Sequence, residues 1–372
     1  MWLKNAVVMG GDFRPVRTDV RIEGEKIAEL GQAGEDALDC AGLILIPGLI
    51  DIHTHACDGA DASSGSVEEL QKISRFEAMH GVTSFLPTTM TLSDELLLGA
   101  MKAIRTFDEQ GPEGAYIHGI NMEGPYLSNK KRGAHKPEWL HRPDAAHFRM
   151  MNEASGGRVR LCSIAPEVEG AMDFIREVHG EVKLSIAHTA ADYDQAMTAF
   201  DAGVTHATHT YNAMSGFAHR APGVVGAIFD SNVTAELICD CLHIHPAVIR
   251  STFKMLGRRL VMISDSMAAT GLSDGVYELG GLTVYVRDGA ATLEDGTIAG
   301  STTPLSGDLK KTVQIAKVPF EDVVYACTAA PAKVLNAYDR VGSIEVGKTA
   351  DLVALDADLN VERVWVRGRR VR

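Results

Sequence analysis

At 372 residues the chain is longer than a typical single domain, but it suits a barrel of about 250 residues with a smaller unit attached. Hydrophobic residues at 45% and charged residues at 23% fit a folded globular enzyme and exclude a disordered or fibrous class. A formal charge of -13 repels phosphate backbones and anionic lipid; it argues against nucleic-acid and membrane partners yet allows a small phosphorylated molecule in a local cationic pocket.

The first residues, MWLKNAVVMGGDF, lack the basic start and long apolar stretch of a signal peptide, and no apolar run reaches membrane-spanning length. The cysteines Cys40, Cys57, Cys162, Cys239, Cys241 and Cys327 follow no framework spacing, which suits a reducing cytoplasm. Cys239 and Cys241 alternate onto one strand face and read as packing residues, as does Cys57.

Taken in chain order, apolar and β-branched runs recur at Leu43 to His53, Val82 to Pro87, Tyr116 to Glu123, Val159 to Ala165, Val182 to His188, Val204 to His209, Ala235 to His243 and Leu260 to Asp265. Segments with helical spacing lie between them, such as SVEELQKISRFEAMHG and YDQAMTAFDAG. Eight strands separated by helices predict an α/β fold, a TIM-like (β/α)8 barrel, over residues 46–339. Residues 1–45 and 340–372 carry short strands with Gly and Asp turns and predict a small composite β-sandwich formed by both termini.

The stretch GLIDIHTHAC ends the first run with His53 and His55, whose i, i+2 spacing directs both imidazoles to one face, as a metal chelate requires. Glu123 ends the third run, His188 the fifth, His209 the sixth, His243 the seventh and Asp265 the eighth. In a barrel all these ends share the face that carries active sites, and imidazole with carboxylate is the donor set of a hydrolytic metal centre. His206 reads instead as a buried, satisfied histidine, and His245, before Pro246, as a residue orienting its loop. Lys130, Lys131 and Arg132 read mainly as a solvated basic loop that contributes to attracting an anionic substrate.

The motifs PGLIDIHTH, NMEGPYLSNKKRGAH, AHTAADY, THTYNAM, CLHIHP, ISDSMAATG and GSIEVGKTADLVALD resemble the N-acetylglucosamine-6-phosphate deacetylases of the amidohydrolase superfamily over nearly the whole chain. The resemblance implies a cytoplasmic homodimer that hydrolyses the acetamide of an amino sugar phosphate with one or two divalent metals, Zn2+ or Fe2+. It implies Glu123, His188 and His209 as ligands of one metal, with His53 and His55 able to hold a second. The fourth strand runs into SIAPE with no lysine for carboxylation, which favours Glu123 as the bridge between metals. Asp265 is expected to shuttle the proton from metal-activated water to the leaving amine, and His243 to bind substrate and polarise its carbonyl. His135, Asn212, the Ala213 amide and Arg220 are expected around the sugar phosphate, with Arg220 reaching the neighbouring subunit's substrate from the loop SGFAHRAPG. The segment GSTTPLSGDL is expected to open a helix and line the pocket. Two alternatives stand beside this reading: a deacetylase for the epimeric N-acetylgalactosamine 6-phosphate, and a non-catalytic sugar-phosphate binding protein.

Overall fold

From Leu49 onward, strands buried along nearly their whole length alternate with amphipathic helices, the pattern of a parallel sheet covered on its outer face. The structure is a computed structural model and describes residues 1–34 and 36–372. Eight strands form the barrel: β1 (Leu49–Thr54), β2 (Val82–Thr89), β3 (Ile120–Met122), β4 (Val159–Ile164), β5 (Lys183–Ile186), β6 (Val204–Ala207), β7 (Thr234–Ile238) and β8 (Leu260–Ile263). Each pairs in parallel with the next, and a short piece, Tyr116–Ile117, extends β3 along β2. The ring closes where Asp265 N–H donates to His53 O (2.9 Å) and His55 N–H to Ser266 O (3.0 Å).

The helices begin where the sequence offers side-chain acceptors. Ser66 accepts from Glu69 N–H at the start of Val67–Met79, and Ser93 caps Asp94–Gln110. Asp192 and Gln195 form a capping box for Tyr193–Asp201. Helix Asp94–Gln110 turns Leu97, Met101, Ile104 and Phe107 inward at helical spacing, which is why it lies along the barrel.

Both termini build two further sheets. One has the order Lys26–Gly31, Asp19–Glu23, Trp2–Lys4, Leu38–Asp39; the other runs Arg369–Arg370, Val361–Val366, Leu352–Leu355, Ile44–Pro47, Val7–Met9, Pro15–Arg17. Their common core includes Leu3, Val8, Val20, Leu45, Leu352 and Trp365.

The run expected as one strand from Leu43 to His53 is two strands in different sheets: Ile44–Pro47 pairs with Leu352–Leu355, and β1 enters the barrel. Gly48 makes the transfer because a Cβ there would lie 2.2 Å from Thr83 Oγ1. A second difference follows β8, where a three-stranded antiparallel meander (Gly275–Leu279, Leu282–Arg287, Ala290–Thr292) brings residues 297–300 over the mouth of the barrel. It escaped the sequence reading because its strands are short and largely solvated.

Candidate metal centre and active site

Of the residues expected at strand ends, His53 lies inside β1, His55 and Glu123 one position beyond their strands, His188, His209 and Asp265 two beyond, and His243 five beyond β7. His188, His209 and Asp265 follow β5, β6 and β8 with positive φ of 42°, 23° and 51°. Left-handed backbone at non-glycine residues costs energy, and here it swings three side chains out of the strand direction into one point. The seventh run is likewise shorter than expected: β7 stops at Ile238, so Cys239 and Cys241 lie in the turn beyond it rather than on a strand face.

Glu123 stands at the centre and is 2% exposed. Its Oε1 is 2.8 Å from His209 Nε2 and 3.2 Å from His188 Nε2, which are themselves 3.1 Å apart. Its Oε2 is 3.2 Å from His55 Nε2. Opposite, His53 Nε2 and His55 Nε2 are 3.3 Å apart and 3.4 and 3.3 Å from Asp265 Oδ1. Donors about 2.0–2.2 Å from a tetrahedral cation lie about 3.4 Å from one another, so each trio has the edge lengths of a ligand set. The residues present therefore fit two divalent cations, one on Glu123, His188 and His209, the other on His53, His55 and Asp265, with Glu123 between them.

The far nitrogens orient the rings. His188 Nδ1–H donates to Lys131 O (2.9 Å) and His55 Nδ1–H to Thr88 O (3.1 Å), so that each Nε2 is the nitrogen that faces the centre. His53 Nδ1 pairs with Glu236 Oε2 at 2.9 Å. His209 Nδ1 has no partner in the structure.

Sequence reasoning missed Glu236, a fully buried carboxylate on β7. It accepts from His209 N–H (3.1 Å) through Oε2, while Oε1 pairs with His206 Nε2 (3.1 Å). His206, read as a satisfied core histidine, is one, because its Nδ1 is 2.6 Å from Thr234 Oγ1. The signal available was a lone acid inside the apolar run AELI, a placement that demands partners.

Burial disfavours charge on these groups, and their mutual attraction restores it. Burial raises the Glu236 carboxyl, but His53 and His206 outweigh it and hold it near a pKa of about 2. Burial lowers His55, yet hydrogen bonds and charge from Asp265 and Glu123 raise it to about 9. Asp265 is held below the usual carboxylate range because His55 and His53 overcome its burial. His135 is pushed down to about 4, chiefly by burial, and is neutral.

The cavity above the cluster measures about 420 Å³. His55, Glu123, His188, His209, His243 and Asp265 reach it, as do His135, Asn212 and Ala213. His135 is anchored at the wall of the cavity: its Nδ1 accepts from Thr91 N–H (3.3 Å) and its Nε2 is 3.6 Å from Glu123 Oε2. His243 Nδ1 is 2.7 Å from Asp240 Oδ2, a second support absent from the sequence reading. Lys130 and Lys131 also line the wall, while Lys130 and Arg132 remain exposed, in keeping with a solvated basic loop beside the cavity. Gly300 does so too, and helix Leu305–Gln314 follows Pro304 as expected.

Arg220 is not brought to this cavity. It sits with His219 at the tip of a tight exposed turn closed by paired hydrogen bonds between Ala218 and Ala221. His245 caps helix Pro246–Leu256, its Nδ1 accepting from Ala247 N–H. Cys57 is buried outside the cluster.

The amidohydrolase family model matches residues 44–371. The chain is similar to the N-acetylglucosamine-6-phosphate deacetylase of Vibrio furnissii, with 36% identity over 92% of this chain and 86% of that protein. It is similar to the N-acetylgalactosamine-6-phosphate deacetylase of Escherichia coli O157:H7, with 35% identity over 88% and 87%. A solved structure of a mutant N-acetyl-D-glucosamine-6-phosphate deacetylase from Mycobacterium smegmatis, in complex with N-acetyl-D-glucosamine-6-phosphate, superposes with a TM-score of 0.94 at 32% identity over 100% of this chain and 99% of that one. With its barrel, its converging imidazoles and carboxylates, and these matches in agreement, the chain belongs to the amidohydrolase family.

Proposed function

We propose that this enzyme hydrolyses the acetamide of N-acetylglucosamine 6-phosphate to acetate and glucosamine 6-phosphate. The observation that carries the reading is Glu123, whose two oxygens address His209 and His188 on one side and His55 on the other, at the floor of a cavity of about 420 Å³. Zn2+ or Fe2+ suits these nitrogen and oxygen donors, and two such ions match the two trios. Bound there, a divalent cation supplies Lewis acidity and makes water nucleophilic at neutral pH.

The chain's own groups account for the remainder. Asp265, a carboxylate that reaches the cavity beside the cluster, accepts a proton from the attacking water. It returns that proton to the sugar nitrogen, so the C–N bond breaks as the new C–O bond stays with acetate. Asp265 Oδ1 lies 3.4 and 3.3 Å from the His53 and His55 Nε2 atoms, so this carboxylate would also help hold a cation placed on that side. His243, fixed by Asp240, donates to the carbonyl oxygen as negative charge develops. His135, Asn212 and the Ala213 amide surround the sugar phosphate, with Lys131 on the same wall.

Arg220 completes the phosphate site of a second subunit in a homodimer; its exposed turn and the 55% exposed Phe217 beside it support that placement. Arg220→Ala raises KM for the phosphorylated sugar, not for N-acetylglucosamine, and a fully active monomer in sedimentation contradicts the placement. The division into residues 1–45 with 340–372, and 46–339, is proposed for the folding units, with strand Ile44–Pro47 kept whole in the terminal sheet so that the boundary falls at Gly48. Six free cysteines support a cytoplasmic setting, and among the described residues no helix is long and apolar enough to cross a membrane.

Acetate release assayed side by side on N-acetylglucosamine 6-phosphate and N-acetylgalactosamine 6-phosphate tests the reading. Preference for the first is expected; preference for the second reassigns the substrate, and release from neither overturns the activity.

A further inference from the structure

Outside the cavity, Asp94, His141 and His147 form another group of metal-ligand type. Asp94 opens helix Asp94–Gln110, His147 lies in the first turn of helix Ala145–Ala154, and His141 precedes that helix in the connection from β3. One oxygen, Asp94 Oδ1, is 3.2 Å from His141 Nε2 and 3.1 Å from His147 Nε2. These separations match those inside the two trios of the cavity, close to the roughly 3.4 Å edge of a tetrahedral ligand set. The rings stack with centroids 4.7 Å apart and planes at 15°, which fixes one imidazole against the other.

His147 is also oriented from behind. Its Nδ1 is 2.8 Å from the Tyr126 hydroxyl, and that hydroxyl donates to Asp144 O (3.4 Å). With Nδ1–H donating to the tyrosine oxygen, Nε2 keeps a lone pair toward Asp94, the support that metal-ligating histidines use. Tyr126 is fully buried, so the core sets the direction of this ring. The side chains of His141 and Asp94 are 37% and 47% exposed, which leaves an entry path and room for water ligands.

We propose that Asp94, His141 and His147 bind a divalent cation of the zinc class at a site separate from the catalytic centre. Two imidazoles and a carboxylate suit such an ion. The site brackets the segment that carries Lys130, Lys131 and His135 to the cavity: Tyr126 begins it, and at its far end His141 N–H donates to Pro125 O (3.0 Å). A bound cation ties both ends of that segment to helix Asp94–Gln110.

The test is zinc titration of the purified holoenzyme beside its His141→Ala variant, with metal counted after removal of free ion and melting followed in parallel. Wild type is expected to retain one more zinc equivalent per chain, and zinc to raise its melting temperature more than the variant's. Asp94→Asn, which preserves side-chain shape, is expected to lose the same equivalent and serves if His141→Ala does not fold. Equal zinc counts in wild type and a folded variant overturn the proposal, and leave the cluster as a hydrogen-bonded pair of histidines on one carboxylate. The inference does not rest on the catalytic reading: a defect at the cavity removes the same equivalents from both proteins and leaves their difference intact.

Discussion

The two trios meet at Glu123, yet they are supported in different ways. On one side His188 is held by a backbone carbonyl, Lys131 O, and His209 Nδ1 has no partner. On the other, His55 also rests on a backbone carbonyl, Thr88 O, but His53 is held by Glu236, a buried charge that itself needs His206 and the His209 amide. A backbone acceptor comes with the fold at no charge, whereas a buried carboxylate persists only while every partner is present. The His53 side is therefore the more tunable of the two, and the His188 side depends mainly on the shape of the loop at Lys131.

The largest effect is expected from His209→Ala, which removes a ligand and a contact to Glu123. Metal on the Glu123 side and acetate release are lost together, as metal analysis and turnover show; retained activity breaks the assignment of this trio. Asp265→Asn comes next. It lowers turnover by roughly a hundredfold or more, the scale of losing general acid–base catalysis, while the metal at Glu123, His188 and His209 remains. Near-normal turnover rules Asp265 out as the proton carrier.

Glu236→Gln sharpens the comparison most. Loss of the carboxylate behind His53 is expected to weaken metal binding at His53, His55 and Asp265 by roughly 10–100-fold and to leave the other trio's affinity nearly unchanged. Equal weakening of both, measured by competition with a chelator, erases the distinction. The smallest effect concerns pH. Because His55 holds its proton up to about 9, a cation entering that side displaces it. Affinity there rises by about tenfold per pH unit as pH climbs toward 9, for one proton released. A pH-independent affinity contradicts that exchange. In the cation-free protein the same raised pKa contributes stability below about 6.5 that is lost as pH rises through about 9.

The alternation of apolar runs and helices made the barrel legible, because buried parallel strands are continuous in hydrophobicity. The HxH pair and the acids and histidines that end the runs marked one face for the same reason. What sequence could not show was direction: the positive φ at His188, His209 and Asp265 is imposed by the tertiary setting. Periodicity also could not separate Ile44–Pro47 from β1, since both are apolar and only the close approach of Gly48 to Thr83 reveals the transfer. Glu236 and Asp240 were overlooked because each supports a histidine distant along the chain or across a turn, and spacing alone does not identify the partner of a buried acid.

Dependence of the chemistry on a cation held at Glu123, His188 and His209 is the central claim. It is tested most directly by stripping the protein with a chelator and following acetate release from N-acetylglucosamine 6-phosphate as Zn2+ or Fe2+ is returned in counted equivalents. The stripped protein is expected to be inactive and to recover as equivalents fill the site, with no recovery in His209→Ala. Full activity of a folded, metal-free protein would contradict the account.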